Sequence, residues 1–143
     1  MIQIRRQAIV RRTPEQMFDL VNDVEAYPSR FGWCAASRVL ERAEQSLVAR
    51  LDLRLAGFTQ SFTTRNTFER AQRLHMQLVD GPLRTLDGEW SFVALGEIGC
   101  KIALALDFDY AGKLMGPALR LGFQGLATRM VDDFVLAASK LDG

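Results

Sequence analysis

The feature that most constrains the fold is an apolar stretch near the C-terminus, from Leu114 to Leu141. Apolar residues recur within it at steps of three and four, which places them on one stripe of a helix: Leu119, Phe123, Leu126, Met130, Phe134, Ala137 and Leu141. The opposite side carries polar and charged residues, at Arg120, Gln124, Thr128, Asp132 and Lys140. So long a stripe has to be buried against a large surface, and we expect the rest of the chain to supply it.

The first half of this helix contains poor helix formers, namely Gly116, Pro117, Gly122 and Gly125. A glycine inside a helix costs about 1 kcal/mol relative to alanine, so these glycines indicate a purpose. Two interpretations stay open. The missing side chains either let the helix pack closely against a sheet, or leave room for a bound molecule between helix and sheet.

Most of the remaining chain shows β-strand patterns. Alternation is strictest from Leu47 to Leu55, where apolar residues alternate with Val48, Arg50, Asp52 and Arg54, as is typical of an antiparallel strand with one buried face. The other predicted strands are Ile2–Val10, a weakly patterned segment near Ser37–Ala43, Phe58–Phe68, Leu74–Leu78, Leu86–Phe92 and Cys100–Tyr110.

A short helix is predicted after the first strand. Thr13 suits the N-cap, Pro14 suits the first helical position, and Gln16 completes a capping box. A second short helical turn is predicted around Val24 to Tyr27, with Pro28 expected to end it. The order of elements predicts an α+β fold in which a curved antiparallel sheet wraps around the long C-terminal helix, with two short helices after the first strand.

Composition and charge limit the classes of function. The chain has 143 residues, predicted to form a single domain over 1–143, and 48% of them are hydrophobic, as in an ordinary soluble protein. The net charge of +1 gives no global field for DNA. Lysine occurs only at Lys101, Lys113 and Lys140, so most cations are arginines, which bind phosphate better than lysine does. Cys34 and Cys100 do not make a disulfide framework, and we expect reduced, buried thiols in a cytoplasmic protein.

Residues suited to catalysis are sparse. The lone histidine, His75, falls on the outward face of its strand, as do Asp107 and Asp109. Ser61 and Ser91 have no histidine near them in the pattern. The cysteines and His75 have no zinc-site spacing, and no glycine-rich phosphate loop is present. We therefore predict no catalytic residues, no metal site and no enzymatic activity.

Several segments carry a family resemblance: Tyr27-Pro28, Trp33-Cys34, Phe62–Asn66, Gly81-Pro82, Leu86, Trp90 with Phe92, and Met130–Asp132 with Phe134. Their order and spacing resemble the START-like (SRPBCC) superfamily with its helix-grip fold. The similarity is greatest to the polyketide cyclase/dehydrase-like branch, which contains coenzyme Q-binding START proteins and the bacterial ribosome-association toxin. Departures from that branch are Arg30-Phe31-Gly32 in place of Phe-Leu-Pro, Leu83 in place of phenylalanine, and Ala137 in place of a common arginine.

The first functional expectation from this resemblance is a non-catalytic carrier of a hydrophobic molecule. A bound isoprenoid quinone such as ubiquinone, or another lipid, would support respiratory electron transfer. Gln60, Thr64 and Asn66 share a strand face with Phe62, and these polar groups either bond one another, the backbone and water, or orient a ligand head group. The predicted cavity residues are Phe31, Trp33, Gln60, Phe62, Thr64, Asn66, Leu83, Trp90, Phe108, Leu119, Phe123 and Met130.

The mouth of this cavity is predicted where residues 31–33 and 81–83 approach the glycine-bearing half of the last helix. No segment is apolar enough for a membrane span. Apolar loop tips beside Arg30 and Arg84 would instead give a peripheral contact with lipid phosphates at the inner face of a bacterial membrane. The other interpretation is that Phe31 and Trp33 plug the core and both arginines are simply solvated.

The resemblance also implies an alternative, a ribosome-association toxin that binds the large ribosomal subunit and blocks subunit joining. Outward arginines would then contact phosphates, with affinity that falls steeply as salt rises; they are Arg5, Arg11, Arg50, Arg54 and Arg65. A polyketide aromatase/cyclase is a third, weaker expectation, because it needs inward ionisable residues and the pattern offers too few.

Overall fold

The structure, a computed structural model, describes residues 1–112 and 115–141. Leu114, where the apolar stretch is predicted to begin, and Lys113 lie outside the described residues. The strands are β1 (Ile2–Val10), β2 (Cys34–Arg42), β3 (Ser46–Leu55), β4 (Phe58–Glu69), β5 (Arg73–Asp80), β6 (Leu83–Leu95) and β7 (Gly99–Tyr110). The helices are α1 (Pro14–Asn22), a 3-10 turn over Val24–Ala26, α2 (Tyr27–Arg30) and α3 (Pro117–Ala138).

The strands form a single antiparallel sheet in the order β1-β7-β6-β5-β4-β3-β2. Strands β2 to β7 follow one another as a meander, and β1 closes back onto β7. Helix α3 packs on the concave face, where the alternating apolar residues of the strands are buried. The predicted α+β helix-grip arrangement is confirmed.

The predicted start of α1 is confirmed. Thr13 Oγ1 accepts a hydrogen bond from the Gln16 backbone N–H (3.1 Å), and Gln16 Oε1 accepts one from the Thr13 backbone N–H (2.9 Å). The prediction that Pro28 ends the next turn is wrong, because Pro28 lies in the first turn of α2, which continues to Arg30. Proline is tolerated there because a first-turn N–H has no acceptor within the helix.

The buried stripe of α3 differs in part from the predicted one. Phe123, Leu126 and Phe134 are buried as expected, but the stripe also includes Ala127, Val131 and Ala138. The other predicted members are only half-buried and flank it: Leu119, Met130, Ala137 and Leu141. The small alanines let the helix backbone approach the sheet, which a pattern of large apolar residues does not reveal.

The glycines of α3 have different surroundings. A Cβ on Gly122 would lie 3.1 Å from the Ala56 backbone nitrogen and 3.3 Å from Leu55 Cβ, in the turn between β3 and β4. A Cβ on Gly125 would meet only Arg129 Nη1, at 3.8 Å. Close helix-to-sheet packing is therefore the role of Gly122.

Candidate functional site

A small cavity of about 90 Å³ lies between the sheet and α3. A small-molecule site usually has about 300–1,000 Å³. The cavity is well below that range, and it is too small for a quinone ring with an isoprenoid tail.

Aromatic side chains fill most of this space. The Phe134 ring lies 4.7 Å from Phe31, 5.2 Å from Trp90 and 5.6 Å from Tyr27, measured between ring centroids. At the other end of the helix, Phe123 lies 5.2 Å from Phe62 and 5.0 Å from Phe108. Such pairs each contribute about 0.5–1.5 kcal/mol beyond their burial, so they stabilise the packing of α3 on the sheet.

The polar groups on the cavity wall bond each other. Thr64 Oγ1 donates to Asn66 Oδ1 at 2.9 Å. Asn66 is only 5% exposed, and among the described residues it is the one polar residue that is buried in the core. Gln60 is half-buried and lies away from this wall. The Thr64–Asn66 contact matches the interpretation in which these groups satisfy one another.

Some of the predicted cavity residues come together and others do not. The cavity wall contains Trp33, Phe62, Thr64, Asn66, Trp90, Phe123 and Met130. Phe31, Leu83 and Phe108 are buried elsewhere in the core, and Gln60 and Leu119 are half-buried outside the wall. The sequence prediction missed inward residues of the neighbouring strands and of the 3-10 turn, although alternation could have found most of them: Val24, Tyr27, Ala49, Leu51, Leu53, Met76, Leu86, Leu104 and Leu106.

The predicted cavity mouth does not form. Residues 31–33 lie against the C-terminal half of α3, not its glycine-bearing half, because Phe31 and Trp33 fit into the aromatic core beside Phe134. Only residues 81–82 separate β5 from β6, so the expected loop to Arg84 is mostly strand.

The predicted apolar loop tips are not at the surface. Phe31 is 5% exposed and Trp33 is 7% exposed, so both plug the core and neither is available to enter a lipid headgroup region. Arg84 lies on β6 in a separate groove beside Met1. Among the described residues, no helix is long and apolar enough to cross a bilayer.

An open surface cleft of about 700 Å³, which we call the basic cleft, lies between residues 29–33, β3 and the C-terminal half of α3. Its cations are Arg30, Arg54, Arg129 and Lys140, and its one acidic lining residue is Asp133. Leu136, Ala137 and Leu141 also line it. Arg30 and Arg54 are predicted contact residues, whereas Arg129, Asp133 and Lys140 were missed because nothing in their local pattern links them to residues 29–33.

Three other predicted arginines lie on the outer face of the sheet beside carboxylates. Arg5 lies 2.8 Å from Asp107, and Arg65 lies 3.7 Å from Glu41. Nε of Arg50 lies 3.0 Å from Asp52. Arg11 is exposed just beyond β1.

The carboxyl group of Asp52 is held ionised by its neighbours. The hydrogen bond from Ser61 Oγ at 2.7 Å, together with the one from Arg50, holds the pKa of Asp52 below its usual range. Arg54 differs, because its guanidinium donates to the Gly32 carbonyl at 2.8 Å and forms no ion pair within the described part of the chain.

The groups considered for catalysis are dispersed. His75 Nε2 lies 2.6 Å from Asp87 Oδ1 on the outer face, as expected for an outward residue. Cys34 and Cys100 are free and buried, as the predicted burial requires, and burial raises the pKa of each. In residues 1–112 and 115–141, no three histidine, cysteine or acidic side chains form a group that could hold a metal ion.

Comparison with known proteins identifies the family. The family model described as polyketide cyclase/dehydrase and lipid transport matches residues 10–135. The chain belongs to this family. Its fold agrees with two solved structures of START-like proteins. The first is the Zhui aromatase/cyclase from Streptomyces sp. R1128, with a TM-score of 0.85 and 19% identity, and the match covers 97% of this chain and 94% of that one. The second is a START superfamily protein from Mycobacterium smegmatis, with a TM-score of 0.82 and 18% identity, and the match covers 98% of this chain and 99% of that one.

Within the polyketide cyclase/dehydrase and lipid transport family, the chain falls in the ribosome-association toxin branch. It is 44% identical to the ribosome association toxin RatA of Pseudomonas aeruginosa over 140 residues, which cover 98% of this chain and 97% of that protein. Further relatives of the same name are 40–41% identical. The expectation of a quinone carrier in respiration is therefore wrong, since these whole-length relatives carry the name of the alternative and the interior lacks the volume for a quinone.

Proposed function

We propose that this chain is a ribosome-association toxin that binds the large ribosomal subunit and hinders its joining to the small subunit. The observation that carries the proposal is the 44% identity to a protein of that name along nearly the whole of both chains. Action on ribosomes would place the protein in the cytoplasm.

The geometry supports a function on the surface and not in the interior. The space under α3 measures about 90 Å³, whereas the basic cleft measures about 700 Å³. Arginines are spread over the exposed surface, and guanidinium groups match the phosphates of RNA. A protein with a packed core and a cationic surface cleft fits a binding role on a ribonucleoprotein particle.

The same geometry favours a non-catalytic role. Thr64 and Asn66 are the polar side chains on the cavity wall, and they are occupied with each other. A cyclase would need ionisable groups that face a substrate in the interior, and the cavity wall offers no ionisable side chain except the Tyr27 hydroxyl, which donates to the Val21 carbonyl. The similarity to aromatase/cyclase structures concerns the fold alone.

Sedimentation with purified ribosomal subunits tests this function. We expect the protein to sediment with large subunits at low salt and to be released as salt rises, because phosphate contacts displace counterions. In a second assay, subunits are joined by raising Mg²⁺ with and without the protein, and fewer joined ribosomes are expected in its presence. Absence of the protein from the large-subunit fraction at every salt concentration would contradict the proposal.

A further inference from the structure

We infer that the basic cleft is the surface that contacts the ribosome, and that its cations bind backbone phosphates of ribosomal RNA. This inference rests on the proposed function and adds to it the position of the contact and the chemistry of the partner. It also distinguishes the cleft from the outer face of the sheet, where three of the arginines predicted as contacts lie.

Local charge favours the cleft. It is lined by Arg30, Arg54, Arg129 and Lys140 against the carboxylate of Asp133. That carboxylate already accepts a hydrogen bond from Trp33 Nε1 at 3.0 Å. Arg30 pairs with Asp23 at 3.0 Å, and Arg129 Nε lies 3.7 Å from Asp133. The cleft still keeps a net positive charge that an RNA backbone can neutralise, because Arg54 and Lys140 form no ion pair within the described part of the chain.

On the outer face of the sheet, the charge of the arginines is offset by neighbouring carboxylates. Three of its predicted contact arginines lie within 3.7 Å of a carboxylate, and they are Arg5, Arg50 and Arg65. A phosphate approaching one of these arginines also approaches the neighbouring acid. The repulsion removes much of the gain that an isolated guanidinium would give.

The C-terminal end of α3 is also compatible with an anionic partner. The C-terminus of a helix presents unpaired carbonyl oxygens and a partial negative charge, which would repel a phosphate. In α3 these oxygens are paired, because the backbone N–H groups of residues 139–141 donate to the carbonyls of Val135, Ala137 and Ala138. Arg12 adds a cationic donor, since its Nε donates to the Ala138 carbonyl at 3.1 Å and its Nη2 donates to the Leu141 carbonyl, beyond the helix end, at 2.9 Å. The cleft is therefore cationic even though a helix ends beside it.

The exposed side chains of the cleft limit what it can recognise. Phe31 and Trp33 stack on each other at 4.7 Å and are buried, so their rings cannot stack on bases. The exposed side chains are the cations, Ser29 and Leu136, which is 59% exposed. These groups suit phosphates and sugars, and we expect binding that depends little on base sequence.

A pair of double variants tests the inference. Arg129→Gln with Lys140→Gln removes two charges from the cleft. Neither side chain donates a hydrogen bond to the backbone within residues 1–112 and 115–141, so the fold should be preserved. The matched control, Arg65→Gln with Arg73→Gln, removes two charges from the outer face, where each arginine pairs with an exposed glutamate. Thermal melting checks that both proteins are folded.

Sedimentation with large subunits over a salt series gives the readout. We expect the cleft variant to bind at least about tenfold more weakly at low salt. The slope of log affinity against log salt should fall by about 1 for each phosphate that the protein no longer neutralises. The control should stay within about twofold of the unmodified protein, because both of its arginines are paired with carboxylates, whereas Lys140 of the cleft variant has no ion pair among the described residues.

The outcomes separate the two proposals. If the unmodified protein does not bind subunits, the proposed function fails. If it binds and the cleft variant binds equally well, or the control is weakened more, the cleft inference is overturned while the function stands. Arg54→Gln provides an independent variant, and Arg54→Lys should restore binding if charge at this site is what matters.

The assignment of RNA as the partner that binds in the basic cleft is tested with protein-free ribosomal RNA as the probe. Binding to this RNA, weakened by the cleft variant in the same proportion as subunit binding, is the expected result. Retention only by ribosomal proteins, or cleft-dependent binding to vesicles of anionic phospholipid without binding to the RNA, would overturn the assignment to an RNA backbone.

Discussion

The indole Nε1 of Trp33 donates a hydrogen bond to Oδ2 of Asp133 at 3.0 Å, and it joins the segment before β2 to α3 across 100 residues of sequence. The same carboxylate oxygen lies 3.7 Å from Arg129 Nε. Asp133 therefore fixes the position of Trp33 against α3 beneath the basic cleft, and its negative charge also lowers the positive charge of the cleft. These two effects can be separated by substitution.

Asp133→Asn removes the negative charge but keeps a side-chain oxygen that can accept the indole hydrogen bond. We expect tighter binding to large subunits and a loss of about 1 kcal/mol or less in the free energy of unfolding, the difference between a charged and a neutral acceptor. Asp133→Ala, as the comparison, also removes the hydrogen bond and should cost about 1–3 kcal/mol. Sedimentation and urea denaturation measure the two effects. Weaker binding by a stable Asn variant would argue against a cationic contact.

Phe134 is at the centre of the aromatic core and is buried against Tyr27, Phe31 and Trp90. Phe134→Ala should lower the free energy of unfolding by about 3–5 kcal/mol, because it removes a large side chain from a packed interior. Leu136→Ala, two residues along the same helix at an exposed position, should change it by about 0.5 kcal/mol or less. Equal losses in urea denaturation would show that the core is not packed as described.

The pKa of Asp52 provides a test of the outer face. Its depressed value means that the ionised carboxylate stabilises the folded state above the usual pKa, and that this contribution disappears as the pH falls through the folded-state pKa. Ser61→Ala removes the largest cause and should move the pKa of Asp52 up toward its usual range. Thr59→Ala on the same strand, which lies opposite Arg54 and not opposite Asp52, serves as the control. NMR titration of the carboxyl carbon gives the values, and an unchanged pKa after Ser61→Ala would refute the assigned cause.

The two thiols should be unreactive in the folded protein. Burial raises the pKa of Cys34 and Cys100, so little thiolate is present near neutral pH, and both side chains are covered. We expect iodoacetamide near neutral pH to leave both unmodified in the folded protein and to modify both after unfolding in urea, as measured by mass spectrometry. Rapid alkylation of either cysteine in the folded state would contradict its burial.

Much of the fold could be predicted because its signals are local. Alternation located the strands, and the Thr13–Gln16 capping box located α1. The stripe of α3 could be predicted only in part, since Ala127 and Ala138 are buried through close approach to the sheet and not through their own hydrophobicity.

The site could not be predicted in the same way. The size of the cavity depends on how Phe134 meets Phe31 and Trp90, which are far from it in sequence, and no local pattern reports that packing. The basic cleft likewise brings Arg54 of β3 beside Arg129 of α3. An arginine on a strand and one on a helix have no shared periodicity, so only the tertiary structure places them together.

Two glycines of α3 provide the last prediction, in which the same substitution has opposite effects. Gly125→Ala gains helix propensity and meets no close neighbour, so the free energy of unfolding should rise by about 0.5–1 kcal/mol. Gly122→Ala gains the same propensity, but its Cβ would press on the backbone of the turn at Leu55 and Ala56, at 3.1–3.4 Å. The backbone there cannot yield as a flexible side chain would, because Ala56 already has a positive φ of 51°.

We therefore expect Gly122→Ala to show no gain or a net loss of stability in urea denaturation, and a difference of about 1 kcal/mol or more between the two variants. Equal stabilisation by both would mean that α3 does not approach the β3–β4 turn this closely.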